Sequence, residues 1–316
     1  MSESKGRAPQ YIPDPDNSKE SFYNHTQPTI GGKDSSDFSA NELGDTEEQE
    51  KVVMNDSYSR GLAYFKGENV PKDYQRAMEL FLVAAGLGHS EAQNQLGHMY
   101  RNGQGVKQDY NQAIQWYQKA ADQGYPDAQS SLASMYEYGR GVTQDYSKAM
   151  ELYKLAAYQG SAIAQHNLGL MYDIGRGTRK DYSMAADCYE MAADQGHVRA
   201  QYDLGLMYEN GRGVTQDYSR AVDLYQRAAE QGYGLAQCNL GYMYANGRGV
   251  TKDYSKALEC YMSAADKGDD AAMSYLGSMY QLGKGVAQDD AKAVEWFQKA
   301  ASRRNGFAQA KLNLMQ

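Results

Sequence analysis

The same letters return every 36 residues. Ala92, Ala128, Ala164, Ala200, Ala236, Ala272 and Ala308 form one column, and Asp73, Asp109, Asp145, Asp181, Asp217, Asp253 and Asp289 form another. A fixed period between about 20 and 50 residues rules out a globule built around one central core, because each copy must bury its apolar face against the next. Seven copies can be traced, at about 56–91, 92–127, 128–163, 164–199, 200–235, 236–271 and 272–307, with residues 308–316 left as a closing segment.

Within the copy AQYDLGLMYENGRGVTQDYSRAVDLYQRAAEQG, Ala200, Leu204, Met207 and Tyr208 share one helical face. Asn210 and Gly211 end that helix, and Gly211 and Gly213 supply the positive φ that a tight reversal demands. Asp217 then reads as the N-cap of a second helix that lays Tyr218, Ala221, Tyr225, Ala228 and Ala229 along one side and stops at Gly232. The unit is an antiparallel helical hairpin. Columns equivalent to Tyr208, Tyr218 and Tyr225 account for eighteen of the 28 tyrosines, so the tyrosine content is architectural. A methionine column (Met99, Met135, Met171, Met207, Met243, Met279) fills core in the same way.

The end copies are eroded. Asp56, Arg60 and Asn69 replace the usual Ala, Leu and Gly in the first, and Asp290 and Arg304 replace Tyr and Gly in the last, as outer faces meeting water require. Leu312 and Met315 are expected to cover the final hairpin.

Ahead of the copies, residues 1–50 hold eleven Asp/Glu against four Lys/Arg and four of the six prolines. Such a stretch buries too little apolar area to offset its ordering entropy, so residues 1–53 are expected to be a disordered acidic tail before an array at 54–316. It would serve to solubilise, or as a docking or phosphorylation segment around Tyr11 to Tyr23. The repeats themselves are nearly neutral, which argues against nucleic-acid binding. Three cysteines fit a reducing compartment, with Cys188 and Cys260 as small core residues. MSESKGRAPQ has no apolar stretch and no run of about 18 apolar residues follows. The chain is thus expected to be soluble and cytoplasmic, with no membrane insertion and no export by the general secretory route.

The pattern A-x-x-x-L-G-x-M-Y-x-x-G-x-G-V-x-x-D-Y-x-x-A-x-x-x-Y-x-x-A-A-x-x-G, as it stands from Ala200 and Ala236, resembles the Sel-1-like repeat (SLR), a relative of the tetratricopeptide repeat. The resemblance implies an all-α, right-handed α/α superhelical solenoid of seven hairpins with a C-terminal capping helix, first helices lining the concave side. It implies a scaffold or adaptor without shared catalytic residues, or else a regulatory subunit of an enzyme complex such as a cell-wall synthase. The cysteine-rich hydrolases of this family carry paired cysteines in each repeat, and this chain does not.

Nothing in the sequence adds chemistry to that picture. The G-R-G-V loops follow helices and lack the third glycine or the G-K-[ST] of phosphate-binding loops. Their basic column, Arg140, Arg176, Arg212, Arg248 and Lys284, is expected at the negative end of each first helix, with an anion-binding ladder as the alternative. His89 and His197 are expected to pack on turns, no His pair has metal-ligand spacing, and no Ser or Cys has an evident base. No enzyme activity, cofactor or metal is expected.

Variation between copies points to a surface instead. Opposite the Ala/Leu/Met face, the middle copies place His166, Leu170, Tyr202, Leu206, Cys238 and Tyr242, with Asp173 and Glu209 along one edge, where the outer copies are polar. An apolar strip with an acidic border is expected to bind a protein or peptide carrying apolar anchors and basic residues. The same residues could instead pack against a neighbouring second helix, or be covered in a homodimer.

Overall fold

The computed structural model describes residues 40–315, and every regular element among them is an α-helix. They fall into two compact units that divide between Ala113 and Ile114. The expected tail over residues 1–39 lies outside the described residues. Residues 40–53, assigned to that tail from sequence, are helical: α1 runs Ala40–Lys66. Residues 46–53, which are exposed, are rich in Glu and free of Pro, so the segment keeps helical propensity without burying them.

In the first unit α1 pairs with α2 (Tyr74–Gly86), and α2 packs on α3 (Ser90–Asn102). Phe81 is fully buried there, with Tyr58 5.9 Å from its ring and the Gly61 backbone against its edge. The next helix, α4 (Tyr110–Asp122), contains the division between the units.

The second unit is a run of hairpins in chain order: α5 (Pro126–Tyr138) with α6 (Tyr146–Tyr158), α7 (Ala162–Ile174) with α8 (Tyr182–Asp194), and α9 (Val198–Asn210) with α10 (Tyr218–Glu230). Then come α11 (Gly234–Asn246) with α12 (Tyr254–Asp266), α13 (Asp270–Leu282) with α14 (Asp290–Ser302), and the closing helix α15 (Gly306–Met315). Each second helix also packs on the following first helix, so this unit is a helical solenoid. Leu312 and Met315 pack on the last core cluster.

Local chemistry fixes the hairpin. The Asp217 side chain accepts from the amides of Ser219 and Arg220, while its own N–H donates to Tyr208 O at 3.0 Å and folds the loop back on the first helix. Gly211 closes α9 in the left-handed region with φ 64°. Gly213 (φ +71°) does something further: its Cα lies so close to the preceding hairpin that an added Cβ would stand 2.1 Å from Tyr182 O. This glycine is where one repeat is pressed onto the one before it.

A second lock was not visible as apolar periodicity. Buried Gln201 donates to Ala193 O (3.3 Å) at the end of the preceding repeat, and accepts from Gln231 (2.9 Å), which also donates to Gly196 O (3.0 Å). Gln165 with Gln195, and Gln129 with Gln159, repeat the Gln–Gln bond and the bond to the preceding Ala carbonyl, the second donation of Gln195 and Gln159 going to Met191 O and Leu155 O of their own helices. Each such pair satisfies helix-end carbonyls that burial would otherwise leave without donors.

Candidate protein-binding face

The first helices of the middle repeats carry the candidate residues, and the structure divides them into two groups. Leu170, Leu206 and Tyr242 on α7, α9 and α11, with Tyr202, are half-buried and lean on the central core cluster. His166, Asp173 and Cys238, expected on the open wall, are buried, and Glu209 is half-buried.

The reason is the next repeat. His166 Nε2 meets Asp203 of α9 at 2.8 Å, and its ring lies 4.7 Å from that of His197. Tyr202 likewise sits 5.2 Å edge-on to Tyr233, while Cys238 joins the core of α12 and α13. In a stack, the direction opposite a helix's own partner is partly occupied by the following hairpin. The accessible line is therefore turned by about 20–40°, and adds Ile163 and Ile174, both exposed, at seven before and four after Leu170. Reading only the strict opposite face missed them.

The acidic edge is not free. Asp173 binds Arg212 at 2.5 Å, Glu137 binds Arg176 at 2.9 Å, and Glu209 lies 3.9 Å from Arg248, each pair joining one first helix to the loop of the next repeat. The same guanidinium groups lie over the rings of Tyr182 (4.5 Å), Tyr146 (5.8 Å) and Tyr218 (5.5 Å). These members of the basic loop column thus act between repeats, where sequence had placed them at the end of their own first helix. Burial raises the Asp173 carboxyl above the usual range, against the pull of Arg212.

Two tyrosine hydroxyls use the same carboxylates: Tyr153 Oη donates to Glu137 (3.0 Å) and Tyr225 Oη to Glu209 (2.7 Å). Where Asp173 stands in place of a Glu, the chain is one methylene shorter and the buried Tyr189 Oη has no hydrogen bond.

The histidines after the terminal glycines cap helices. His197 Nδ1 accepts from Ala200 N at 3.2 Å and His89 Nδ1 from Ala92 N at 3.4 Å. Burial, with nearby His166 and Arg199, pushes the His197 imidazole down to about 4. Because its folded value lies below the ordinary 6.5, the unfolded chain takes up this proton first as pH falls. The stability present above pH ~6.5 is lost progressively toward pH ~4 and no further below it. We expect the urea midpoint to fall over that window and the fall to be shallower in His197→Asn, which keeps an N-cap acceptor but does not titrate. Equal slopes in both proteins would refute the assignment.

Among the described residues no group of three or more His, Cys, Asp or Glu side chains could hold a metal ion, and no helix is long and apolar enough to cross a membrane.

Comparison with known proteins agrees with the geometry. A family model described as Sel1 repeat matches residues 58–89, 90–125, 126–161, 162–197, 198–233, 234–269 and 270–305 in succession. The chain is similar, at 36% identity and a TM-score of 0.76, to a protective antigen present in uropathogenic Escherichia coli strains whose crystal structure displays an SLR fold. That match covers 87% of this chain but only 59% of the antigen's chain, so less than two thirds of that relative is spanned. A Sel1 repeat protein from Oxalobacter formigenes is also 36% identical, with a TM-score of 0.67, over 78% of this chain and 96% of its own. No curated protein matches the chain.

Proposed function

The chain belongs to the Sel1 repeat family, and from that premise we propose that it is a non-catalytic scaffold holding a partner protein against the first helices of its middle repeats. One observation carries the reading. Ile163, Leu170, Ile174, Leu206 and Tyr242 line accessible or half-accessible positions, whereas the column of Leu170 holds His98, Ser134 and Ser278 in other copies. Apolar side chains kept at a partly wet surface in consecutive copies support a contact site, since aromatic and aliphatic anchors supply most binding energy.

Basic residues in the partner lose their support, because Asp173 is already ion-paired and Glu209 lies between Tyr225 and Arg248. The partner is read by apolar anchors.

The test is affinity capture from the source cells with the intact chain beside a Leu170→Ser/Leu206→Ser/Tyr242→Ser variant. Each half-buried change is expected to lower stability by about 1 kcal/mol, leaving the array folded. Partners retained by the parent and lost from the folded variant support the site; an unchanged set of partners removes it.

A further inference from the structure

Between the second helices α10 and α12 one copy leaves open a space that other copies fill. A cavity of about 440 Å³ lies there, with Leu240 and Tyr244 of α11 between its two walls. It arises from two small side chains on α12. The column of Cys260 holds Leu80, Trp116, Leu152, Leu224 and Trp296 elsewhere, and that of Ser263 holds Val83, Lys119, Leu155, Met191, Arg227 and Lys299. No other copy is small in both columns, since Cys188 is followed three residues on by Met191.

The preceding copy shows what occupies the space when it is filled. Leu224 is buried there, and Arg227 donates to Ala193 O at 2.9 Å while its Nη1 stands 4.0 Å from the Asp223 carboxylate. The Gln201 amide donates to the same Ala193 oxygen at 3.3 Å, so that carbonyl has two donors. One repeat on, the equivalent Ala229 lines the cavity and accepts from Gln237 at 3.2 Å. Ser263 lacks the long stem with which Arg227 reaches its carbonyl, and Glu259 stands where Asp223 stood.

The charge of the lining selects the same occupant. Glu230 and Glu259 face one ammonium, that of Lys256, which lies 5.3 Å over the Tyr244 ring. Glu230 accepts from the neutral amide of Gln226 at 3.1 Å and so keeps its charge. Burial, and after it Glu259, push the Cys260 thiol up to about 11, which makes it an uncharged, apolar wall at neutral pH. A long apolar stem ending in a planar cation satisfies the walls, the second lone pair of Ala229 O and the carboxylates together. We propose that this cavity is a docking site for an arginine side chain of a partner protein, which takes the place that Arg227 fills from within the chain one repeat earlier. The site is built by other helix faces than the first-helix strip and does not rest on that reading.

Methyl NMR of the full chain, labelled at alanine and leucine, tests this by titration with acetyl-arginine amide, whose blocked ends are those of a residue within a chain. The Ala229 and Leu240 signals are expected to move saturably at millimolar concentration. Acetyl-citrulline amide, of the same shape without the charge, is expected to bind about tenfold more weakly. Ser263→Arg, which installs the residue of the preceding copy, is expected to fill the cavity and abolish the shifts. Cys260→Leu, closing the apolar half, is expected to weaken binding about tenfold and decides the matter should Ser263→Arg fail to fold. Leu206→Ser is expected to leave the titration unchanged, which separates this site from the proposed scaffold face. A parent chain without saturable shifts, citrulline binding as tightly as arginine, a folded cavity-filling variant that binds like the parent, or loss of binding in Leu206→Ser would each overturn the proposal.

Discussion

Replacing Gly213 by Ala is expected to destabilise the array by about 3 kcal/mol, out of proportion to the one methyl added. Two effects combine. At φ +71° an L side chain sits in the left-handed region at roughly 1 kcal/mol above glycine. The new Cβ would also stand 2.1 Å from Tyr182 O and 2.8 Å from Ser183 N, both backbone atoms of the preceding repeat, so relief requires moving one hairpin off another. Overpacking of that kind adds about 2 kcal/mol.

Gly196→Ala isolates the first effect. Its φ is +85°, but nothing lies within 4 Å of the added Cβ, so only the conformational term of about 1 kcal/mol is expected. Urea unfolding followed by far-UV circular dichroism distinguishes the two. Because Gly213 lies at a repeat interface, its variant should also broaden the transition as nearest-neighbour coupling weakens. Equal losses in the two variants would show that the loop is not pressed onto its neighbour in solution.

Residues that recur in register were legible in the sequence because they answer the same local demand in every copy. The buried Ala column, the Asp caps and the glycines with positive φ follow from helix geometry within one hairpin, and the sequence assigns them without reference to any neighbour. Interactions that join unlike columns of adjacent copies were not legible. Glu137 and Arg176 are 39 residues apart, as are Asp173 and Arg212, so aligning copies by their period never sets the partners side by side. The Gln201 column was in plain sight in each copy, but a repeated polar letter carries no apolar periodicity, and only the carbonyl of Ala193 explains it. The binding face shows the same division. The 100° step gave the direction correctly for an isolated helix, and the following hairpin then covered His166, Asp173 and Cys238 and left Ile163 and Ile174 accessible.

The tyrosine column on the second helices gives the largest expected loss. Tyr225 is fully buried, and the Gly205 backbone approaches so closely that an added Cβ would be 2.7 Å from its ring. Tyr225→Ala removes a whole ring from between two helices held apart by it and is expected to cost about 4 kcal/mol. Tyr225→Phe keeps the packing and removes the hydroxyl that donates to Glu209 and accepts from Asn239, for about 1 kcal/mol. Tyr189 inverts the sign. Its ring is packed in the same way, but its hydroxyl is buried with no hydrogen bond beside the shortened Asp173, so Tyr189→Phe is expected to raise stability by about 1 kcal/mol. Opposite signs at two equivalent positions, read as shifts of the urea midpoint at constant slope, would attribute the difference to the partners of the hydroxyl and not to the ring. A loss at both positions would mean that Tyr189 Oη finds a partner in solution, and would sink the claim that its missing hydrogen bond decides the sign.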